Sequence, residues 1–216
     1  MKIEIKSLSN FEKREIVRKD YDFISQDYAK ICEIKDYKEF LDEFLSLLKG
    51  KKILDVGCGS GLIANYFYSK GFDVRGLDFS KNLLKIARKN YSEIEFIECD
   101  ICKWNSNEKF DGVFSKDMLF HLPDDDLILA LKNIKKSLNK NGIFYIIMDC
   151  PKIAGEQILP ESLDVNSSIY YNYLTPNKFE SLLLDAGYKI EKIKLFNENI
   201  DDYIYADGVM VFVVSL

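Results

Sequence analysis

The segment KKILDVGCGSGLIANYF, Lys51–Phe67, places three glycines within five residues directly after an apolar run. An apolar run of strand length, then glycines, then helical periodicity reads as a buried strand turning sharply into a helix. Gly57, Gly59 and Gly61 would leave backbone N–H groups facing a ligand at the helix N-terminus. The same alternation continues down the chain. Strands KILDVG, DVRGLDF and FDGVFS are followed by helices GLIANYFYSKG, KNLLKIARKN and DDLILALKNIKKSLN, the last stopped by KNG before strand IFYIIMD, while strand IEFIECD leads into a loop. Helix PNKFESLLLDAG and strands YKIEKIKLF and GVMVFVVSL follow. This order predicts a doubly wound, Rossmann-like α/β fold. Its seven-stranded sheet is mostly parallel, with helices on both faces and an antiparallel last strand, and its ligand lies beyond the strands' carboxyl ends.

Two segments stand outside the alternation. Residues 1–50 are expected to form an N-terminal helical lid, and residues 151–174 an inserted segment on the substrate side. With no internal repeat or low-complexity tract, residues 1–216 are expected to be one domain. At 216 residues and 47% hydrophobic content the chain can build one such core. The formal charge of −5 disfavours nucleic acid as partner. The charged start and the lack of an 18-residue apolar run suit a cytoplasmic protein without membrane contact. The five cysteines are scattered and odd in number, so they read as reduced thiols, including the CDIC pair Cys99 and Cys102.

The glycine loop has two candidate ligands. A dinucleotide fingerprint needs glycine at the sixth position of G-x-G-x-x-G, where this chain has Leu62. Asp55, two residues before Gly57, would also repel a pyrophosphate. An amino-acid end fits better, its ammonium near Asp55 and its carboxylate at the helix N-terminus.

ILDVGCGSGLIA resembles the first motif of class I S-adenosylmethionine-dependent methyltransferases of the small-molecule type (methyltransferase domain 11/25-like). VRGLDFS, IECDI, FDGVFSKDMLFHLPD and KNGIFYIIMD resemble the family's second to fifth strands, so the likeness runs in order over residues 51–150. YLTPNKFESLLLDAGY matches further on. The resemblance implies S-adenosylmethionine as cofactor and S-adenosylhomocysteine as product. It implies that Gly57, Cys58, Gly59 and Gly61 cradle the methionine end with Asp55. Asp78 would accept both ribose hydroxyls, or else merely cap the following helix, where Ser80 is the better cap. Asp100 would accept from the adenine amino group. Phe79 and Ile101 would sandwich the ring or pack in the core. A carbonyl at Ser115 and Lys116 would face the methionine ammonium. Tyr28, in YDFISQDYAK, would reach the cofactor or, with Tyr21, fill an amphipathic helix's core face.

The implied reaction is in-line displacement at a sulfonium methyl, in which the protein mainly aligns and desolvates. An acceptor hydroxyl or ammonium would still need a base, and His121 is the one histidine. It is either that base or a structural residue. The acids of PDDD suit a helix start, so no metal is expected. Tyr170, Tyr171 and Tyr173 of YYNY either meet a small organic acceptor or pack, and NENIDDYIYADG reads as an acidic solvated loop. The expected function is methyl transfer to oxygen or nitrogen of a small molecule by a monomer or homodimer. The alternatives are methylation of protein or RNA, a nicotinamide oxidoreductase, and a binding module without turnover.

Overall fold

Alternate residues of the central strands go to opposite faces of one sheet, and that alternation builds two cores. The computed structural model describes residues 4–160, 163, 167–197 and 206–216. Strands β1 (Lys52–Val56), β2 (Asp73–Asp78), β3 (Glu95–Glu98), β4 (Phe110–Lys116) and β5 (Leu138–Pro151) pair in parallel, and β8 (Lys189–Asn197) and β9 (Ala206–Ser215) extend the sheet. The order is β3-β2-β1-β4-β5-β9-β8, with β9 antiparallel to both neighbours. The seven-stranded, mostly parallel expectation therefore holds, with the antiparallel last strand in place.

On one face, Phe144, Ile146 and Met148 of β5 pack with Leu127, Leu131 and Ile134 of α5 (Asp124–Ser137) and with Phe179 and Leu183 of α6 (Pro176–Asp185). On the other, Tyr145 and Ile147 meet α2 (Lys38–Leu47), α3 (Leu62–Ser69) and α4 (Lys81–Asn90). The segment 1–50 thus divides. Leu41 and Phe44 of α2 are fully buried against the sheet, so α2 is part of a core layer. Helix α1 (Asn10–Ile31), started by a capping box between Ser9 and Glu12, lies across the strands' carboxyl edge, and Cys32, Glu33, Asp36 and Tyr37 border the same site beyond its end.

The KNG stop is corrected: the helix ends at Ser137 and β5 begins at once, Leu138 pairing with Phe110 before a register shift. Within 151–174, β6 (Gly155–Pro160) and β7 (Ser168–Tyr173) form an antiparallel hairpin that composition did not reveal. Most of the acidic stretch before β9, residues 198–205, lies outside the described residues.

Candidate active site

Two hollows meet at the carboxyl ends of β1, β2 and β4. The smaller, about 60 Å³, includes Asp78, Phe79, Cys99, Asp100 and Ile101 in its lining; the larger, about 770 Å³, includes Asp55, Cys58, Asp149 and Tyr171. Tyr21, Tyr28, Gly57, Gly59, Lys116 and Asp117 border both. Most of the residues picked from sequence are therefore brought together.

The glycines divide by task. Gly59, at φ 52°, is open: an added Cβ would meet only Tyr28 at 3.6 Å and Leu83 at 3.9 Å. Its N–H donates to Asp78 Oδ2 at 2.8 Å, while Ser80 N–H donates to Oδ1 at 2.8 Å. The glycine loop is thus tied to the end of β2, and each carboxylate oxygen keeps a lone pair for a hydroxyl. Gly61 corrects the expectation. It lines neither hollow, and a Cβ there would stand 2.7 Å from Phe96 and 3.0 Å from Ala87, so its smallness serves helix–sheet packing. Ser115 is another correction: it is buried in β4 and borders neither hollow, which Lys116, Asp117 and Met118 reach instead.

Asp55 carries the strongest electrostatic signal. It is buried and its Oδ2 has no hydrogen-bond partner. Burial first, then the nearby Asp78 charge, pushes its carboxyl up to about 8. Burial likewise raises Asp78 to about 6, against the backbone N–H bonds that favour its charge. An orphaned carboxyl oxygen beside an open glycine fits a ligand ammonium. At pH 7 the Asp55 carboxyl is mostly protonated, and an ammonium would make it ionise. Cofactor binding at pH 7 should therefore release about one proton, read from calorimetry in buffers of different ionisation enthalpy. Asp55→Asn should remove that release; an unchanged release in the variant would place the ammonium elsewhere.

Helix α1 closes the site from above through contacts that local sequence patterns do not reveal. Asp22 Oδ1 accepts from Ser80 Oγ at 2.7 Å and from Asn82 N–H at 3.0 Å. Arg14 pairs with Asp126 and lies 3.2 Å from Asp100 Oδ2. Asp100 also accepts from Cys102 N–H at 2.9 Å, so an adenine amino group would share it.

His121 is buried, in a short turn before α5. Its Nδ1 lies 2.8 Å from the Tyr170 carbonyl, which can only accept, so Nδ1 carries the proton. Nε2, 3.1 Å from the Tyr21 hydroxyl, then accepts from it. Burial pushes the imidazole down to about 4. A histidine whose folded pKa lies below its unfolded 6.5 loses stability as pH falls through that window, because the unfolded chain takes the proton first. His121→Gln should remove an acid-side destabilisation of order 3 kcal/mol between pH 6.5 and 4. Identical urea-melt slopes against pH in both proteins would contradict the neutral assignment.

Strand alternation splits the tyrosine cluster. Tyr171 borders the large hollow and stacks on Tyr173 at 4.9 Å, but Tyr173 does not reach the hollow. Tyr170 turns away, packs with Val17, and donates to Glu156 at 2.8 Å. Tyr170 and Tyr173 are thus corrected to packing positions. Asp117 and Asp149 were missed, although a strand-end acid, the signal that singled out Asp78, is also present in IIMD.

Residues 53–142 match a family model described as a methyltransferase domain. Over those residues the chain is similar to the class I S-adenosylmethionine-dependent methyltransferases. This methyltransferase is 27% identical over 161 residues to a ubiquinone biosynthesis O-methyltransferase of Thiobacillus denitrificans, covering 68% of each chain. It is 29% identical over 171 residues to a putative methyltransferase 235L of Invertebrate iridescent virus 6, covering 74% of this chain and 63% of the relative. Its fold matches the Burkholderia thailandensis 1,6-didemethyltoxoflavin-N1-methyltransferase, solved with 1,6-didemethyltoxoflavin and S-adenosylhomocysteine. The TM-score is 0.74 at 17% identity, over 98% of this methyltransferase and 92% of that chain. The CcbJ methyltransferase of Streptomyces caelestis also gives 0.74, at 15% identity, over 93% and 98%.

Proposed function

We propose that this methyltransferase moves the methyl group of S-adenosylmethionine to an oxygen or nitrogen of a small organic acceptor. The carrying observation is the hollow of about 770 Å³ that begins at Gly57 and Gly59 and continues to Asp149 and Tyr171, a volume suited to a small ligand. The O-methyltransferase and N1-methyltransferase named among its relatives support both acceptor atoms.

When bound, S-adenosylmethionine supplies a methyl carbon on an already activated leaving group. The chain's own residues supply binding, orientation and dryness. Asp78 holds the ribose hydroxyls, Phe79 and Ile101 flank the adenine, Asp100 accepts from its amino group, and Asp55 with the Gly57–Gly59 backbone holds the amino-acid end. Tyr28 closes over Gly59, and α1 acts as the cover. His121 is a positioning residue: its neutral Nε2 fixes the Tyr21 hydroxyl, and its low pKa makes it a weak direct base.

In this reading the enzyme works in the cytoplasm on a small molecule, as monomer or homodimer, without nucleic acid. Among the described residues no helix is long and apolar enough to cross a membrane. A panel of small phenols, amines and carboxylic acids, assayed for S-adenosylhomocysteine release, tests the function. Turnover with a panel member is expected; labelled methyl appearing only on protein or RNA would overturn the small-molecule reading.

A further inference from the structure

Building on that methyl-transfer reading, we propose that the acceptor is an amine, held as its ammonium with Asp149 and carried on an apolar, ring-sized body. Among the described residues, the larger hollow is bordered by five carboxylate side chains, Glu33, Asp36, Asp55, Asp117 and Asp149, against one basic side chain, Lys116. Most of these acids already have a task. Asp55 faces the cofactor's ammonium, Lys116 pairs with Asp117, and Glu33 bridges to Lys35 at 2.8 Å on the exposed side. Asp149 stands apart. It sits near the carboxyl end of β5, its backbone paired with Val209, and among the described residues its side chain has neither a hydrogen bond nor an ion pair.

A carboxylate drawn out of water without a partner is costly, and a ligand cation is what removes that cost. Burial first, then the Asp117 charge, pushes the half-buried Asp149 carboxyl up, against the opposing pull of the Lys116 ammonium. The walls point the same way. The Lys116 ammonium lies 3.9 Å from the centre of the Tyr37 ring beside Asp117, so this hollow already holds one cation between an aromatic face and a carboxylate. Phe120, Tyr171 and Phe196 offer further ring faces for an apolar body. Asp117 is also the one non-glycine residue at positive φ among the described residues, at 53°, a backbone state that Asp tolerates and that occurs at functional sites.

The chemistry balances. An ammonium has no lone pair, so one N–H proton passes to the Asp149 carboxylate, leaving a neutral amine and a carboxylic acid. The freed pair forms the new N–C bond while the carbon–sulfur pair leaves with sulfur, giving an N-methylammonium. A carboxyl raised by burial is a better base for this step than an exposed one.

The test uses three probes sharing one body: 2-phenylethylamine, 2-phenylethanol and phenylacetate, titrated calorimetrically into the full chain saturated with S-adenosylhomocysteine. The amine is expected to bind at least ~10-fold more tightly than the alcohol, with the carboxylate weakest. Asp149→Asn is expected to erase most of that gap while S-adenosylhomocysteine affinity stays within about twofold. No measurable amine binding, an alcohol or carboxylate preference, or a gap that survives Asp149→Asn would overturn the proposal. So would a variant with amine and alcohol alike but weakened S-adenosylmethionine relative to S-adenosylhomocysteine, which would assign Asp149 to the sulfonium. Should the variant fail to fold, the wild-type ranking decides alone. Failure of S-adenosylhomocysteine itself to bind would instead remove the methyl-transfer reading beneath the proposal.

Discussion

Gly59→Val is expected to weaken S-adenosylhomocysteine binding by about 3 kcal/mol or more, roughly 100-fold, while the protein still folds. Two effects combine. At φ 52° a β-branched residue is strained, and relief of that strain would turn the Gly59 N–H away from Asp78 Oδ2, now 2.8 Å distant. The branched side chain would also project toward Tyr28 and Leu83, into the junction of the two hollows. Gly61→Val should behave differently. Its Cβ would enter the space of Phe96 and Ala87, so the loss should appear in melting temperature first. Equal affinity in Gly59→Val and wild type would mean that the loop holds something other than this cofactor.

Asp78→Ala is expected to cost about 1.5 to 3 kcal/mol in cofactor affinity, the scale of hydrogen bonds to a charged group. Its effect on the unliganded fold should be smaller, because two opposing changes meet there. The Gly59 and Ser80 N–H groups lose their acceptor, while a buried carboxylate raised to about 6 is removed. Affinity measured against melting temperature separates the roles. A loss of stability with unchanged affinity would make Asp78 a loop fastener and leave the ribose without its acceptor.

The sheet was legible because its strands are short apolar runs ending in turn residues, and because alternation along β5 and β9 feeds both cores. The position of Asp55, Gly59 and Asp78 at the sheet's carboxyl edge was legible for a related reason: the end of a parallel strand has a fixed address. The remainder depended on contacts distant in sequence. Nothing near Arg14 indicates Asp100 or Asp126, and nothing near Asp22 indicates the N-terminus of α4. The β6–β7 hairpin hid because β6 is GEQILP, a half-polar run bounded by Gly155 and Pro160, and YYNY read as one cluster until the period of two turned Tyr170 and Tyr171 to opposite sides. His121 stood out as the one histidine, yet a lone titratable residue in sequence carries no information about its burial. Asp149 could have been found by the rule that found Asp78.

The most direct test of the central claim is calorimetric titration of the wild-type chain with S-adenosylhomocysteine and, separately, with NAD. The expected result is saturable 1:1 binding of S-adenosylhomocysteine with release of about one proton at pH 7, and no binding of NAD at the same concentrations. Binding of NAD with S-adenosylhomocysteine inert would contradict the assignment of the glycine loop, Asp55 and Asp78 to a methyl donor.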